Sequence, residues 1–156
     1  MGQKKSMKLP AFEKQLLKAK FIGIDTSCFI YLFEQNPQFE PLCRLLFNLA
    51  GNNKISLITS VISLTEVLVK PKQKNDQEMA SNYQSIFLET PNLRVCQLDF
   101  SSACLAAQLK ANYNLGLADA SQIAICQQNG AKIFVSNDIK LKKVKEIKVL
   151  ILKDYA

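Results

Sequence analysis

The chain has 156 residues, which fits one domain and is long enough to bury a core. Hydrophobic residues make up 48% and charged residues 21%, with only five glycines and five prolines, so a fibrous or disordered chain is excluded. The net charge is +7 and histidine is absent, which removes histidine general bases, Ser-His-Asp triads and histidine-ligated zinc.

Residues 1–20 carry six lysines against Glu13 and read as a basic N-terminal extension to a domain spanning 21–156. Residues 11–20 of that extension are expected as a short basic helix or a frayed arm. Met1-Gly2 followed by Ser6 matches the N-myristoylation pattern, although an ordinary start is the favoured reading. The opening residues are charged and lack the apolar stretch of a signal peptide, and no run approaches the ~20 apolar residues that span a bilayer. The expectation is a cytoplasmic protein with no membrane partner. Five cysteines at irregular spacing, without a C-x-x-C pair, are expected as buried free thiols.

Phe21-Ile22-Gly23-Ile24-Asp25 reads as a buried strand. Thr26 or Ser27 is expected to cap a helix over 28–35, and a second helix spans about 39–50. Residues 55–58 form a strand. Thr59 or Ser60 then caps a helix that Pro71 ends, with Glu66 on the side carrying Ile62 rather than facing water. A polar helix over 74–89 precedes a strand at 93–98. Asp99 or Ser101 caps a helix over 102–112, and another helix covers 118–129. Residues 133–135 form a strand, followed by a lysine-rich turn and a last strand at 147–152. Short β-branched runs alternating with helices imply a three-layer α/β/α sandwich around a central, mainly parallel sheet of four to five strands.

Four of the thirteen acidic residues stand in apolar settings: Asp25 after FIGI, Glu66 within SLTEVLV, Asp119 in GLADASQIAI and Asp138 after IFVSN. Carboxylates are rarely buried without a partner. Asp25 and Asp138 end apolar strands, and Asp119 begins a helix, so all three fall at the carboxyl edge where open α/β sheets place ligands. Four anions in one crevice call for a divalent cation, and an all-oxygen set without histidine suits Mg²⁺ or Mn²⁺. Taken singly, each acid also has an ordinary structural role as a helix cap, a turn residue or one half of an ion pair. The basic termini around a mildly acidic middle suit a polyanionic substrate.

These motifs resemble those of the PIN-domain nucleases, and among them the toxin ribonucleases of the VapC type. FIGIDTS is similar to the opening strand and first acid, SVISLTEVL to the second motif, LADA followed by Ile123 and Ala124 to the third, and VSND to the fourth. The resemblance covers about residues 21–152. It implies an Mg²⁺- or Mn²⁺-dependent endoribonuclease cutting RNA phosphodiester bonds, with Asp25, Glu66, Asp119 and Asp138 as metal ligands and catalytic acids. Ser27, Ser136 and Asn137 would be polar helpers, and Lys140, Lys142 and Lys143 would contact the RNA. An antitoxin protein and a homodimer are the partners it allows for. The chain departs from compact toxins in its N-terminal extension and in having Asn112, Asn114 and Leu115 where a basic residue usually precedes the third motif.

A haloacid-dehalogenase-like phosphatase would need a second aspartate at position 27, which is serine. A receiver domain would need an acid beside Asp25. The remaining alternative is a PIN-like module that binds RNA or protein without cutting.

Overall fold

The structure, a computed structural model, describes residues 8–156; the acylation-type pattern at Met1–Ser6 lies outside the described residues. The chain runs α1 (Leu9–Leu16), β1 (Phe21–Ile24), α2 (Thr26–Phe33), α3 (Glu40–Gly51), β2 (Ser56–Ser60), α4 (Val61–Gln73), α5 (Gln77–Glu89), β3 (Leu93–Cys96), α6 (Phe100–Tyr113), α7 (Leu117–Gln128), β4 (Ile133–Ser136) and β5 (Lys148–Ile151). Short 3₁₀ turns cover Ile139–Lys143 and Leu152–Asp154.

The five strands form one sheet in the order β3-β2-β1-β4-β5, and every neighbouring pair is parallel. Parallel pairing buries both faces, which explains why β1, β2 and β4 are almost free of surface polarity. The strand order reverses at β1, so the connections leaving β1 and β4 diverge and open a crevice at the carboxyl edge. Gly23 in the middle of β1 meets this packing directly. A Cβ there would lie 2.8 Å from Cys126 Cβ and 2.9 Å from Phe134 Cδ2, so α7 can lie on the sheet only because the residue is glycine.

Two apolar cores flank the sheet. One packs α1, α2 and α3 around Phe12, Phe29, Leu42, Leu46 and Leu57, and the other packs α6 and α7 around Leu109, Ile123 and Phe134. Within the basic N-terminal segment, Leu9–Leu16 form a helix rather than a frayed arm. Phe12 and Leu16 are fully buried, Phe12 stacks near Tyr155, and the Lys8 amide donates to the Tyr155 carbonyl at 2.8 Å. Burying two such side chains contributes roughly 1.5–3 kcal/mol each, so α1 is part of the same folded unit as the sheet.

Several boundaries differ from the sequence reading for physical reasons. Helix α2 starts at Thr26 because Asp25, not Thr26 or Ser27, is the cap: its Oδ1 accepts from the Thr26 amide at 2.6 Å. Pro71 does not end α4, which continues to Gln73. The proline is buried, and packing in the last turn offsets the missing backbone donor. The buried stripe of α4 is Ser63, Val67 and Pro71, so Glu66 lies at its margin, exposed rather than shielded from water, with one carboxylate oxygen turned to Thr26 and Gln122. Of the cysteines, Cys28, Cys43 and Cys126 are buried, but Cys104 is exposed on α6. Among the described residues no helix is long and apolar enough to cross a membrane.

Candidate metal centre

The four acids are delivered by four different elements. Asp25 follows β1 and caps α2, Glu66 is on α4, Asp119 is in the first turn of α7, and Asp138 caps the 3₁₀ turn after β4. Asp25 is the buried member, at 9% exposure. Its Oδ1 accepts from the Thr26 amide at 2.6 Å, and its Oδ2 accepts from Ser136 Oγ at 2.6 Å. Burial pushes its carboxyl up from 3.8 to about 6; the charges of Asp119 and Glu66 add to the rise, and the two hydrogen bonds oppose it.

Asp119 is also raised, first by burial and then by the negative charges of Asp138 and Glu66, while Lys140 pulls the other way. Asp25 therefore feels Asp119 and Glu66, and Asp119 feels Asp138 and Glu66. Asp119 thus lies within electrostatic reach of the other three acids. Among the described residues, however, no three acidic or thiol side chains close into a contact group of ligands.

A buried polar network joins these acids from beneath. Thr26 Oγ1 donates to Glu66 Oε1 at 2.9 Å, and Gln122 Nε2 donates to the same oxygen at 2.6 Å. Ser63 Oγ lies 3.0 Å from Thr26 Oγ1 and 3.3 Å from Gln122 Oε1. Thr26, Ser63 and Gln122 are all buried. Three helices are thus pinned together immediately under Glu66. Sequence reasoning missed this layer; its one signal is that Ser63 and Gln122 each stand a helical turn from an acid, Glu66 and Asp119.

The polar helpers divide. Ser136 is engaged with Asp25 and also accepts from the Asp138 amide at 3.1 Å, so it ties two acids together. Ser27 Oγ is buried without a hydrogen-bond partner, two residues after Asp25. Asn137 is turned to other work: its Nδ2 donates to the Tyr31 hydroxyl and its Oδ1 accepts from the Lys153 amide. Of the lysines, Lys140 lies within electrostatic reach of Asp119, Lys142 pairs with Asp154 at 2.5 Å, and Lys143 is exposed.

Carboxylates and hydroxyls make a wholly hard donor set, and an open one. Mg²⁺ keeps several waters and is held by one or two protein carboxylates together with substrate phosphate, so an open set suits it better than a closed cage would. The buried Asp25 carboxyl and the unpartnered Ser27 hydroxyl fit the same kind of ion.

The sequence model of the PIN domain matches residues 22–147, most of the chain and all four acids. This chain belongs to the PIN-domain family. Among solved structures, it resembles VapBC2 from Rickettsia felis, bound to a DNA fragment from their promoter, with a TM-score of 0.67 and 18% identity over 84% of this chain and 98% of that one. DNA-bound VapBC from Salmonella typhimurium gives 0.67 and 20% over 86% and 98%. The sarcin-ricin loop cleaving toxin VapC20 of Mycobacterium tuberculosis gives 0.60 and 17% over 81% and 98%. At these identities the likeness establishes the PIN fold. No curated protein sequence matches the chain.

Proposed function

We propose that this PIN domain is an Mg²⁺- or Mn²⁺-dependent endoribonuclease and the toxin member of a toxin–antitoxin pair. The observation that carries the reading is geometric: Asp25 and Asp138 follow the neighbouring strands β1 and β4 and are joined through Ser136, and buried Thr26 and Gln122, the latter one helical turn from Asp119, hold Glu66 beside them. Structural proteins seldom gather four mutually repelling carboxylates, one of them buried, without a cation to neutralise them. The toxin assignment is supported by the neighbours, several of which are toxin–antitoxin complexes and one of which cleaves the sarcin-ricin loop.

Asp25, Glu66, Asp119 and Asp138 would hold the metal, which when bound polarises the phosphodiester and makes water a nucleophile near neutral pH. The residues of this chain prepare that step. Thr26 and Ser136 fix both oxygens of Asp25, so one anionic ligand is oriented in advance. Thr26 and Gln122 fix Glu66 through a single oxygen and leave its other oxygen available. Lys140 and Lys143 offer charge to the RNA backbone beside the acids.

The test is cleavage of single-stranded RNA by the purified chain with Mg²⁺ or Mn²⁺, alongside Asp25→Asn and Asp119→Asn. Metal-dependent cleavage that both substitutions abolish is the expected result. RNA binding without cleavage would instead mark a non-catalytic module. An antitoxin is expected to co-purify with the chain when expressed from its own operon, and the mass of the isolated chain in solution reads out the homodimer.

A further inference from the structure

We propose that Lys8 and Lys153, brought together by the pairing of the two ends of the chain, extend the lysines of the 139–143 turn into a basic track that guides the RNA backbone to the acidic centre. The proposal rests on the ribonuclease reading of that centre.

The track can be followed contact by contact. The Lys140 amide donates to Asp138 Oδ1 at 3.0 Å, which sets this lysine beside the acidic centre. One turn on, Lys142 pairs with Asp154 at 2.5 Å. Lys8 Nζ donates to the carbonyl of the same Asp154 at 3.3 Å, and its backbone amide donates to the carbonyl of Tyr155 at 2.8 Å. The Lys153 amide donates to Asn137 Oδ1 at 3.0 Å, which pins this lysine's backbone against the residue preceding Asp138. Lys8, Lys140, Lys142, Lys143 and Lys153 are all exposed. Lys142 pairs with the Asp154 carboxylate and Lys8 takes only its main-chain carbonyl, so Lys8 keeps its charge uncompensated there, and the Lys142–Asp154 pair is exposed enough for phosphate to replace it.

Lys8 and Lys153 both lie outside the PIN match at 22–147, so the outer half of the track stands on segments flanking the matched span. Their backbone anchors also argue against idle surface charge. The residues carrying these lysines are held by main-chain hydrogen bonds to Tyr155 and Asn137, so binding a strand there orders side chains but little backbone. A flexible single strand whose phosphates follow the lysines would present its scissile bond at Asp119 and Asp138. Spacing of charge along a ridge, without exposed aromatic rings at these positions, favours recognition of backbone over recognition of base.

The experiment compares the wild-type chain with a Lys8→Gln/Lys153→Gln double variant and with a charge-matched control, Lys54→Gln/Lys132→Gln, whose exposed lysines precede β2 and β4 at the opposite sheet edge. Binding of a ~20-nucleotide single-stranded RNA in EDTA is followed by anisotropy against salt, where each lost phosphate contact lowers the log–log slope by about 0.7. The track variant is expected to lower the slope by about 1.4, and the control to leave it unchanged. With metal added, cleavage of the long RNA should fall several-fold in the track variant, while cleavage of a ~4-nucleotide substrate stays at the wild-type rate. Asp154→Asn, which removes the acid paired with Lys142, should tighten RNA binding. Equal slopes in the track and control variants, or an effect on duplex DNA but none on RNA, would overturn the proposal. A wild-type chain that cuts no RNA but shows the slope difference would sink the nuclease reading and leave the track standing.

Discussion

Ser136, the last residue of β4, donates its hydroxyl to Asp25, the residue that follows β1, across 2.6 Å, and accepts the Asp138 amide on the same oxygen at 3.1 Å. One hydroxyl thus fixes the buried acid and the start of the segment bearing the fourth. Ser136→Ala leaves that buried carboxyl short of one donor and the Asp138 amide short of an acceptor. A loss of about 1–3 kcal/mol of stability is expected, read by denaturant unfolding. The lost hydrogen bond opposed the rise of the Asp25 carboxyl, so its removal moves that carboxyl further up. The pH profile of RNA cleavage should accordingly shift to the alkaline side, and an unshifted profile with full activity would separate Ser136 from the reaction.

Asp25→Asn should stabilise the metal-free protein at neutral pH while abolishing cleavage. The Asp25 carboxyl stands at about 6 in the fold against 3.8 ordinarily, so the folded chain holds its proton more tightly than the unfolded chain does. The stability that comes from keeping it neutral is complete below 3.8 and is lost as the pH rises through 6. Above that point the buried charge costs roughly 3 kcal/mol in the absence of metal. Asparagine keeps an acceptor for the Thr26 amide and carries no charge. Melting temperatures in EDTA should therefore be higher than wild type at pH ~8 and converge with it near pH ~4. A variant less stable at both values would mean that Asp25 serves chiefly as a cap.

Millimolar Mg²⁺ or Mn²⁺ should raise the melting temperature, because only the folded chain gathers the acids. At a hundredfold excess over the dissociation constant the gain is about 2.7 kcal/mol. Asp119→Asn removes one anion that both Asp138 and Glu66 feel, and should cut this gain sharply while raising the metal-free stability slightly. Calorimetric scans with and without metal check both parts. Identical gains in the wild type and the variant would place the binding elsewhere.

Gln122→Leu should act on Glu66 from below. Its amide donates to Glu66 Oε1 at 2.6 Å and lies 3.2 Å from Thr26 Oγ1, with 2% of the residue exposed. Leucine fills similar space without a donor, so Glu66 keeps Thr26 alone. Stability is expected to fall by about 1–3 kcal/mol, with weaker metal binding read by calorimetry. Gln122→Glu should be worse on both counts, since it adds a fifth carboxylate to the cluster. Metal affinity unchanged in both variants would reduce Gln122 to a packing role.

The acids stood out in the sequence because each interrupts or ends an apolar run, which marks it as a candidate for a site. The parallel sheet was legible for the same reason, since β1 and β4 leave no polar face for solvent. What remained hidden depends on contacts between helices. Nothing local says that Gln122 of α7 reaches Thr26 of α2 and Glu66 of α4, because helical spacing gives a face but not its partner. Asn137 looked like part of the fourth motif, and only the closeness of Tyr31 and Lys153 shows it bracing the sheet edge instead. Pro71 misled because backbone chemistry alone ends a helix there, whereas tertiary burial carries it on to Gln73.

The central position of β1 has a consequence for how such a protein is made. Its partner β4, and the Ser136 that fixes Asp25, lie about a hundred residues further along, 111 in the case of that hydrogen bond. A chain emerging from the ribosome presents Asp25 and Glu66 early, but the strand that completes their surroundings is synthesised near the end. Until then the sheet lacks its middle pairing and the acids have no common crevice. On the proposed reading, a metal centre of this design stays incomplete until the last strands of the sheet have been synthesised.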